Sequence, residues 1–124
     1  MIDHVGVTTH GIETSRRFDE AALSPLGIAM IIDVKAEENG RCHGMGYDRD
    51  SKPFFWLSNE THEVAAHSAH GTGIHIAFAA ESRMAVDAFF STTIVQGGRY
   101  DGASGVRPHY HPHYYLAFVI DPDG

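Results

Sequence analysis

A chain of 124 residues with 43% hydrophobic and 20% charged residues is long enough for one domain with a modest core and lacks the composition of a disordered chain. Its formal net charge of −7 argues against a basic surface for nucleic acid or an anionic membrane. The sequence has no apolar run long enough to cross a bilayer and no signal-peptide pattern, and its lone Cys42 cannot form an internal disulfide. These features predict a cytoplasmic protein.

The first residues have the pattern of a half-buried strand. Residues 1–7 alternate strictly, so that Val5 and Val7 point to one face and His4 and Gly6 to the other. This alternation predicts that the imidazole of His4 lies opposite the apolar face of the strand.

A helix and three further strands are predicted next. The helix has its cap near Thr9 or His10 and ends before Pro25. The strand candidates are residues 28–35, 41–48 and 53–58, separated by turn signals. Alternate residues of the last candidate, either Phe54 and Trp56 or Phe55 and Leu57, are expected to line the apolar side of a cavity.

The pattern then restarts in the second half. Residues 59–72 are mostly small and polar, which predicts a linker, and the near-match to a zinc motif at 62–67 has one residue too many between its histidines. Residues 72–80 alternate again, with His75 opposite the apolar face. A second helix is capped by Ser82 and is stopped by a pair of glycines, Gly97 and Gly98. The glycine-rich segment 97–105 follows a helix, so a phosphate-binding loop is not predicted there.

A constant shift of 71 residues superimposes the two halves, pairing His4 with His75 and Leu23 with Ile94. Other matched pairs are Phe18 with Phe89 and Gly27 with Gly98. The shift predicts a duplicated βαβββ unit in one domain, with module one at about 1–58, a linker at 59–72 and module two at 73–124. The partner of strand 53–58 would fall at or beyond Gly124, so the last strand is expected to be missing and the sequence to be clipped.

Three segments carry a family resemblance: DHVGV, GIHIAFAA and GVRPHYHPHYYLAFVIDPDG. They resemble the vicinal oxygen chelate superfamily, which includes glyoxalase I, thiol transferases of fosfomycin resistance, bleomycin-resistance proteins and extradiol dioxygenases. The resemblance implies an α+β fold of two paired βαβββ modules that form an open, cup-shaped β-sheet with helices outside. It also implies a homodimer.

The resemblance further implies metal ligands from the first strand of each module, which correspond to His4 and His75. Neutral imidazole suits a divalent zinc, iron, nickel or manganese ion. A carboxylate from the last strand, which this sequence lacks, would complete a three-ligand set. Asp121 and Asp123 belong to the turn before that strand and are expected to form the turn.

The segment between Arg107 and Tyr115 is predicted to be an extended loop that enters a strand at Tyr114 or Tyr115, because two prolines exclude a helix. Arg107 is a candidate anchor for an anionic substrate group, and Tyr110 or Tyr115 for a proton donor to a metal-bound oxygen. His109 is a further candidate beside them. The alternative is that these side chains hold together the loop and a dimer interface.

Three functions stay open. The first is a glyoxalase-like or dioxygenase-like enzyme in which a divalent metal chelates vicinal oxygens of a small-molecule substrate, with lyase, isomerase, thiol-transfer or ring-cleaving chemistry. The second is a metal-free protein that sequesters a small aromatic or cationic compound, as in bleomycin resistance. The third is an oligomer in which the chain shares its terminal strand.

Overall fold

The computed structural model describes residues 1–59 and 74–124. In chain order its elements are β1 (Val5–Thr9), α1 (Ile12–Leu23), β2 (Ala29–Val34), α2 (Ala36–Asn39), β3 (Gly44–Asp48), β4 (Phe55–Asn59), α3 (Arg83–Val95), β5 (Arg99–Val106) and β6 (Tyr115–Ile120). A single 3₁₀ turn, Ser24–Leu26, follows α1. Among these elements no helix has the length and apolar character needed to span a membrane.

Module one forms a four-stranded mixed sheet in the order β1-β4-β3-β2. The central strand β4 runs parallel to β1, with Val5 opposite Phe55, and antiparallel to β3, with Met45 opposite Leu57. Strands β2 and β3 are antiparallel, with a register shift at Met30. The expected strand–helix–three-strand order of the first half is therefore confirmed.

Module two repeats this order with the predicted spacing. Helix α1 begins at Ile12 and α3 at Arg83, and strand β3 begins at Gly44 and β6 at Tyr115, so both pairs are 71 residues apart. Strands β5 and β6 form a two-stranded antiparallel sheet. The fold is α+β, with two modules related by the predicted duplication. The precise module boundaries stay a prediction, because the proposed linker lies almost wholly outside the described residues.

Residues 74–80 differ from the predicted strand, since they have no regular secondary structure. Their alternation is retained: Ile76 and Phe78 are half-buried, whereas His75 is exposed. A strand needs a ladder partner, and β1 has β4, but in the part of the chain that the structure describes no strand pairs with residues 74–80. The pattern predicted the faces of residues 75–78, but it also predicted Ile74 on the apolar face, where the structure leaves it 65% exposed, and it did not predict the missing pairing.

Both helix starts follow local hydrogen bonding. Ser82 caps α3 as predicted, and its side chain accepts a hydrogen bond from the Ala85 amide. The predicted cap of α1 is wrong, because the N-cap is Gly11 and has no side-chain bond. Thr9 instead accepts the Gly11 amide through its hydroxyl, which ties down the turn before the helix.

Glycines account for two further differences. The local pattern of residues 99–106 does not indicate a strand, because its glycines favour a loop, but the 71-residue shift of the strand candidate 28–35 places one there, and β5 forms with register shifts beside Gly102. The left-handed residue after α3 is Gly97, with φ 93°, one position before the predicted equivalent of Gly27. Gly98 serves close packing, because a Cβ there would lie 2.8 Å from the Phe18 ring.

The core lies in module one. Its buried side chains come from α1, the 3₁₀ turn and the strands, and they are Leu23, Leu26, Ile28, Met45, Tyr47, Phe55 and Leu57. Module two is much more open. The repeat partners Leu23 and Ile94 are 1% and 39% exposed, respectively. The same helix position is therefore buried in module one and partly exposed in module two.

Candidate functional site

The face of the four-stranded sheet opposite α1 carries almost no side chains beside β4. Gly6, Gly44 and Gly46 point to this face, which we call the open face, and the indole of Trp56 lies over them. A Cβ on Gly46 would lie 3.2 Å from Trp56 Cη2, and one on Gly44 would lie 4.0 Å from Cε3. The glycines therefore let the indole lie flat across β3, with its other side directed away from the sheet.

His4 continues the alternation of Gly6 on this face. Its side chain is 60% exposed, and Nδ1 lies 3.1 Å from the Asp3 carboxylate. Lys52 also contacts Asp3, and these two partners, Lys52 first, lower the pKa of that carboxyl group. Asp3 therefore stays ionised and holds the imidazole at the edge of the open face.

A cavity of about 1210 Å³ lies between the modules. Its walls come from α1, the α1-facing sides of β1 and β4, residues 74–83, α3, β6 and the turn after β6. Phe55 and Leu57 line it, whereas Phe54 and Trp56 do not. Of the two alternating pairs expected to line a cavity, the structure thus places Phe55 and Leu57 there.

Three of the predicted site residues line this cavity: His75, Tyr110 and Tyr115. The His75 ring lies edge-on to Phe118, with the ring centroids 5.6 Å apart. Tyr110 also lines the cavity and packs edge-on against Tyr114 at 5.8 Å. Both tyrosine side chains are largely exposed, so they form an aromatic rim at the opening.

The other candidates of the second module have structural partners. Arg107 donates from Nη2 to the Ala103 carbonyl at 2.7 Å and thereby braces the β5–β6 hairpin. The His109 ring packs at a tilt of 45° against its neighbour Tyr110, with centroids 4.3 Å apart. Of Arg107 and His109, only Arg107 carries a permanent charge.

Tyr115 also has clear partners, on α3. Its hydroxyl donates to Asp87 Oδ1 at 2.6 Å, and the Arg83 guanidinium lies 5.0 Å from its ring centroid. Hydrogen bonds from Ser104 and then Tyr115 lower the pKa of the Asp87 carboxyl. Tyr115 therefore fixes β6 to α3 through a charge-assisted bond.

The turn Asp121–Gly124 closes one end of the cavity. Asp121 forms the turn as expected, since its Oδ1 accepts the amides of Asp123 and Gly124. Asp123 reaches further: its Oδ2 accepts the Ser15 hydroxyl at 3.0 Å, and its Oδ1 accepts the His10 amide at 3.3 Å. The turn of module two is thus bound to the start of α1 in module one.

Asp19 lies one helical turn beyond Ser15 on the same cavity wall. Burial, followed by the charges of Asp121 and Asp123, raises the pKa of its carboxyl group to about 7. Among the described residues no positive charge lowers this pKa, so the protonated and ionised forms are about equally populated near pH 7.

A search of solved structures found a glyoxalase/bleomycin resistance protein from Albidiferax ferrireducens T118 with a TM-score of 0.71 and 30% sequence identity. The alignment covers 98% of this chain and 89% of that protein. The chain belongs to the glyoxalase/bleomycin resistance protein family.

Two more distant structures support the fold of this glyoxalase-family chain. A glyoxalase/bleomycin resistance protein/dioxygenase family enzyme from Burkholderia phytofirmans PsJN is 19% identical, covers 98% of this chain and 90% of its own, and has a TM-score of 0.65. A hypothetical protein from S. aureus is 15% identical, covers 96% and 84%, and has a TM-score of 0.64. Comparisons with protein-family models and with curated proteins found no match.

The described residues of this family member provide two candidate metal ligands, and a metal site needs at least one more. His4 and His75 are two exposed imidazoles at repeat-equivalent positions, and imidazole is a suitable donor for a transition metal. Within residues 1–59 and 74–124, no three His, Cys, Asp or Glu side chains converge as a metal site would require. The described residues thus do not fit a complete metal site, and no reaction step through a metal follows from them.

Sequence reasoning missed Ser15, Asp19 and Asp123 as a connected group. Their only local signal is the i, i+4 spacing of Ser15 and Asp19 on one helix face. The contact to Asp123 spans 108 residues, so nothing in the sequence indicates it. The position of the Trp56 indole could be inferred more easily once the strand order is known, because Gly6, Gly44 and Gly46 lie on the two strands that flank β4.

Proposed function

We propose that this glyoxalase-family chain binds a small organic molecule on the open face, against Trp56 and His4. The observation that carries the proposal is that the indole of Trp56 lies flat over Gly44 and Gly46. An aromatic side chain held in this way offers a rigid apolar surface to a planar ligand at little entropic cost. His4 lies beside it as a hydrogen-bonding group whose position is set by Asp3.

The candidates of module two lie apart from the open face in this proposal. His75, the repeat partner of His4, and the exposed rim of Tyr110 and Tyr114 line the cavity on the α1 side, where they form a second aromatic surface. Arg107 and Tyr115 act mainly by positioning these residues, since their polar groups are bonded within module two. His109 supports the ring of Tyr110. A homodimer and a cytoplasmic location are part of the same proposal.

Trp56 is the single tryptophan of the chain, so its fluorescence reports on the proposed site directly. We expect a planar ligand from a panel of catechols and aromatic cations to quench this fluorescence in a saturable manner. Replacing His4 with alanine should weaken that ligand about tenfold, the cost of one lost polar contact of about 1.4 kcal/mol. The exposed His111→Ala variant serves as the matched control and should bind like the parent.

A metal-dependent enzyme is the second candidate, acting on vicinal oxygens of its substrate as a lyase, isomerase or dioxygenase. Its support is the equivalence of His4 and His75 under the 71-residue shift that relates α1 to α3. The ion would be zinc, iron, nickel or manganese, and its Lewis acidity would polarise the substrate oxygens. A further carboxylate ligand, from residues outside the described set, is required.

Elemental analysis of the purified protein separates the two candidates. The enzyme candidate predicts near-stoichiometric transition metal in the parent and at least a tenfold loss in both His4→Ala and His75→Ala. The His111→Ala variant should retain the parent content. Absence of metal from the parent, or a ligand affinity that is insensitive to chelator, would favour the metal-free binding protein.

A further inference from the structure

The open face has polar side chains at two ends of β1, with the indole of Trp56 between them on the neighbouring strand. The first end is His4, which Asp3 holds through a hydrogen bond. At the other end, Thr8 lies on the same face as His4, because the two are four residues apart on an alternating segment. The register of the parallel strands places Thr8 directly beside Ser58 of β4. We call Thr8 and Ser58 the hydroxyl pair.

The hydroxyl pair is available to a ligand. Thr8 is exposed, and within the part of the chain that the structure describes its hydroxyl has no hydrogen-bond partner. It lies on the edge strand of the sheet and also borders the cavity between the modules. Ser58 is half-buried and donates a long hydrogen bond of 3.4 Å to the Val7 carbonyl, which leaves the lone pairs of its oxygen free to accept. The pair can therefore both donate to and accept from one polar group.

The surface beside the two ends is apolar. The indole of Trp56 lies over Gly44 and Gly46, and the β2 residues opposite these glycines are Val34 and Ile32. Both aliphatic side chains are half-buried and alternate on the same face of β2. The open face is thus apolar across β2, β3 and β4, which suits a planar ring system rather than a flexible polar chain.

The length of the strand sets the distance between the two polar ends. His4 and Thr8 are four residues apart, which in an extended chain corresponds to about 13 Å between their Cα atoms. Two polar groups on adjacent atoms of a single ring cannot reach both ends at once. A ligand that uses both ends therefore needs at least two rings and a polar group at each end.

The charges at the His4 end indicate that these polar groups are neutral. Lys52 contacts the Asp3 carboxylate, and the same carboxylate bonds His4 Nδ1. The ammonium group is therefore already paired, and the hydroxyl pair carries no charge. An anionic group would gain no new salt bridge from Lys52 or from the hydroxyl pair, whereas a hydroxyl group needs none.

We propose that the ligand of the open face is a neutral planar molecule of at least two rings with a hydroxyl group at each end. His4 binds one of these groups and the hydroxyl pair binds the other. The ligand class rests on the proposed function, since it concerns the same face. It adds Thr8 and Ser58 as determinants of specificity, and compounds with both oxygens at one end should bind more weakly.

Calorimetric titration of the full chain with two related compounds tests the ligand class. The probes are naphthalene-2,6-diol, with a hydroxyl group at each end, and 2-naphthol, with only one, and the diol should bind about tenfold more tightly through its additional hydrogen-bonded group. The two compounds share the same ring system, so the difference between them reports on the second polar group alone.

Variants at both ends show whether the diol uses both. The diol should lose about tenfold in affinity in His4→Ala and again about tenfold in Thr8→Val, with Ser58→Ala resembling the latter. The single hydroxyl of 2-naphthol should respond to a change at only one end, whereas a general structural effect of the substitutions would weaken it at both. The control Thr14→Val makes the same substitution at an exposed position of α1, on the other side of the sheet, and should leave both affinities unchanged.

Two results would overturn the ligand class without touching the proposed function. The first is a diol that does not bind, or binds no more tightly than 2-naphthol. The second is a diol whose affinity falls in His4→Ala but is unchanged in both Thr8→Val and Ser58→Ala. The Trp56 titration with the other planar compounds decides the proposed function separately. A diol affinity that is independent of His4 as well would contradict both.

Discussion

Replacing Leu23 with alanine is expected to destabilise the protein by about 3 kcal/mol, whereas Ile94→Ala should cost less than about 1 kcal/mol. The two residues are repeat partners on α1 and α3, but Leu23 is 1% exposed within the core cluster and Ile94 is 39% exposed. Deleting a buried side chain leaves a cavity and loses its transfer free energy, while a half-exposed one loses little packing.

Urea unfolding of the two variants beside the parent measures this difference, with unchanged slopes as the check on two-state behaviour. Because the positions are equivalent in sequence, each variant is the control for the other. Similar losses at both positions would mean that the two modules have equally filled cores, contrary to the open second module described above.

Substituting Asp19 with asparagine should change how stability depends on pH. The pKa of Asp19 is raised from 3.8 to about 7 in the folded protein, so folding favours its protonated form. The parent therefore has this stability in full below about pH 4 and loses it as pH rises towards 7. At pH 8 the asparagine variant should be more stable than the parent, by at most about 4 kcal/mol.

Thermal or urea unfolding at pH 4 and pH 8 tests this expectation, with the exposed Asp50→Asn as the control. The Asp19→Asn variant and the parent should have similar stability at pH 4 and diverge at pH 8, while the control follows the parent at both. Parallel pH profiles for the Asp19→Asn variant and the parent would show that the pKa of Asp19 is not raised, and hence that its carboxyl group is not buried beside Asp121 and Asp123 in solution.

The parts of the fold with strong periodicity were predictable. The alternation around His4 and His75 indicated correctly that these side chains lie opposite the apolar faces. The start of α3 was predictable because a helical period and an N-cap serine are local signals, and the 71-residue shift gave the same start. Strand β5 was predictable from the shift, which carries residues 28–35 onto 99–106, but not from its own local pattern. Its stability comes from pairing with β6, and its glycines suggest a loop when they are considered without that partner.

The candidate site was predictable only where it depends on local pattern. The exposed positions of His4 and His75 follow from strand alternation. The flat placement of the Trp56 indole over the glycines follows once the strand order is known. The bond between Ser15 and Asp123, and the effect of Asp123 on Asp19, depend on how the modules pack. Tertiary contacts of that kind leave no periodic trace in the sequence.

The fluorescence titration of Trp56 tests the central claim most directly, namely that the open face binds a small organic molecule. The account predicts saturable quenching by at least one planar compound of the panel, about tenfold weaker in His4→Ala and unchanged in His111→Ala. Saturable binding detected by calorimetry, with Trp56 fluorescence unaltered and affinity independent of His4, would place the ligand elsewhere and contradict the account.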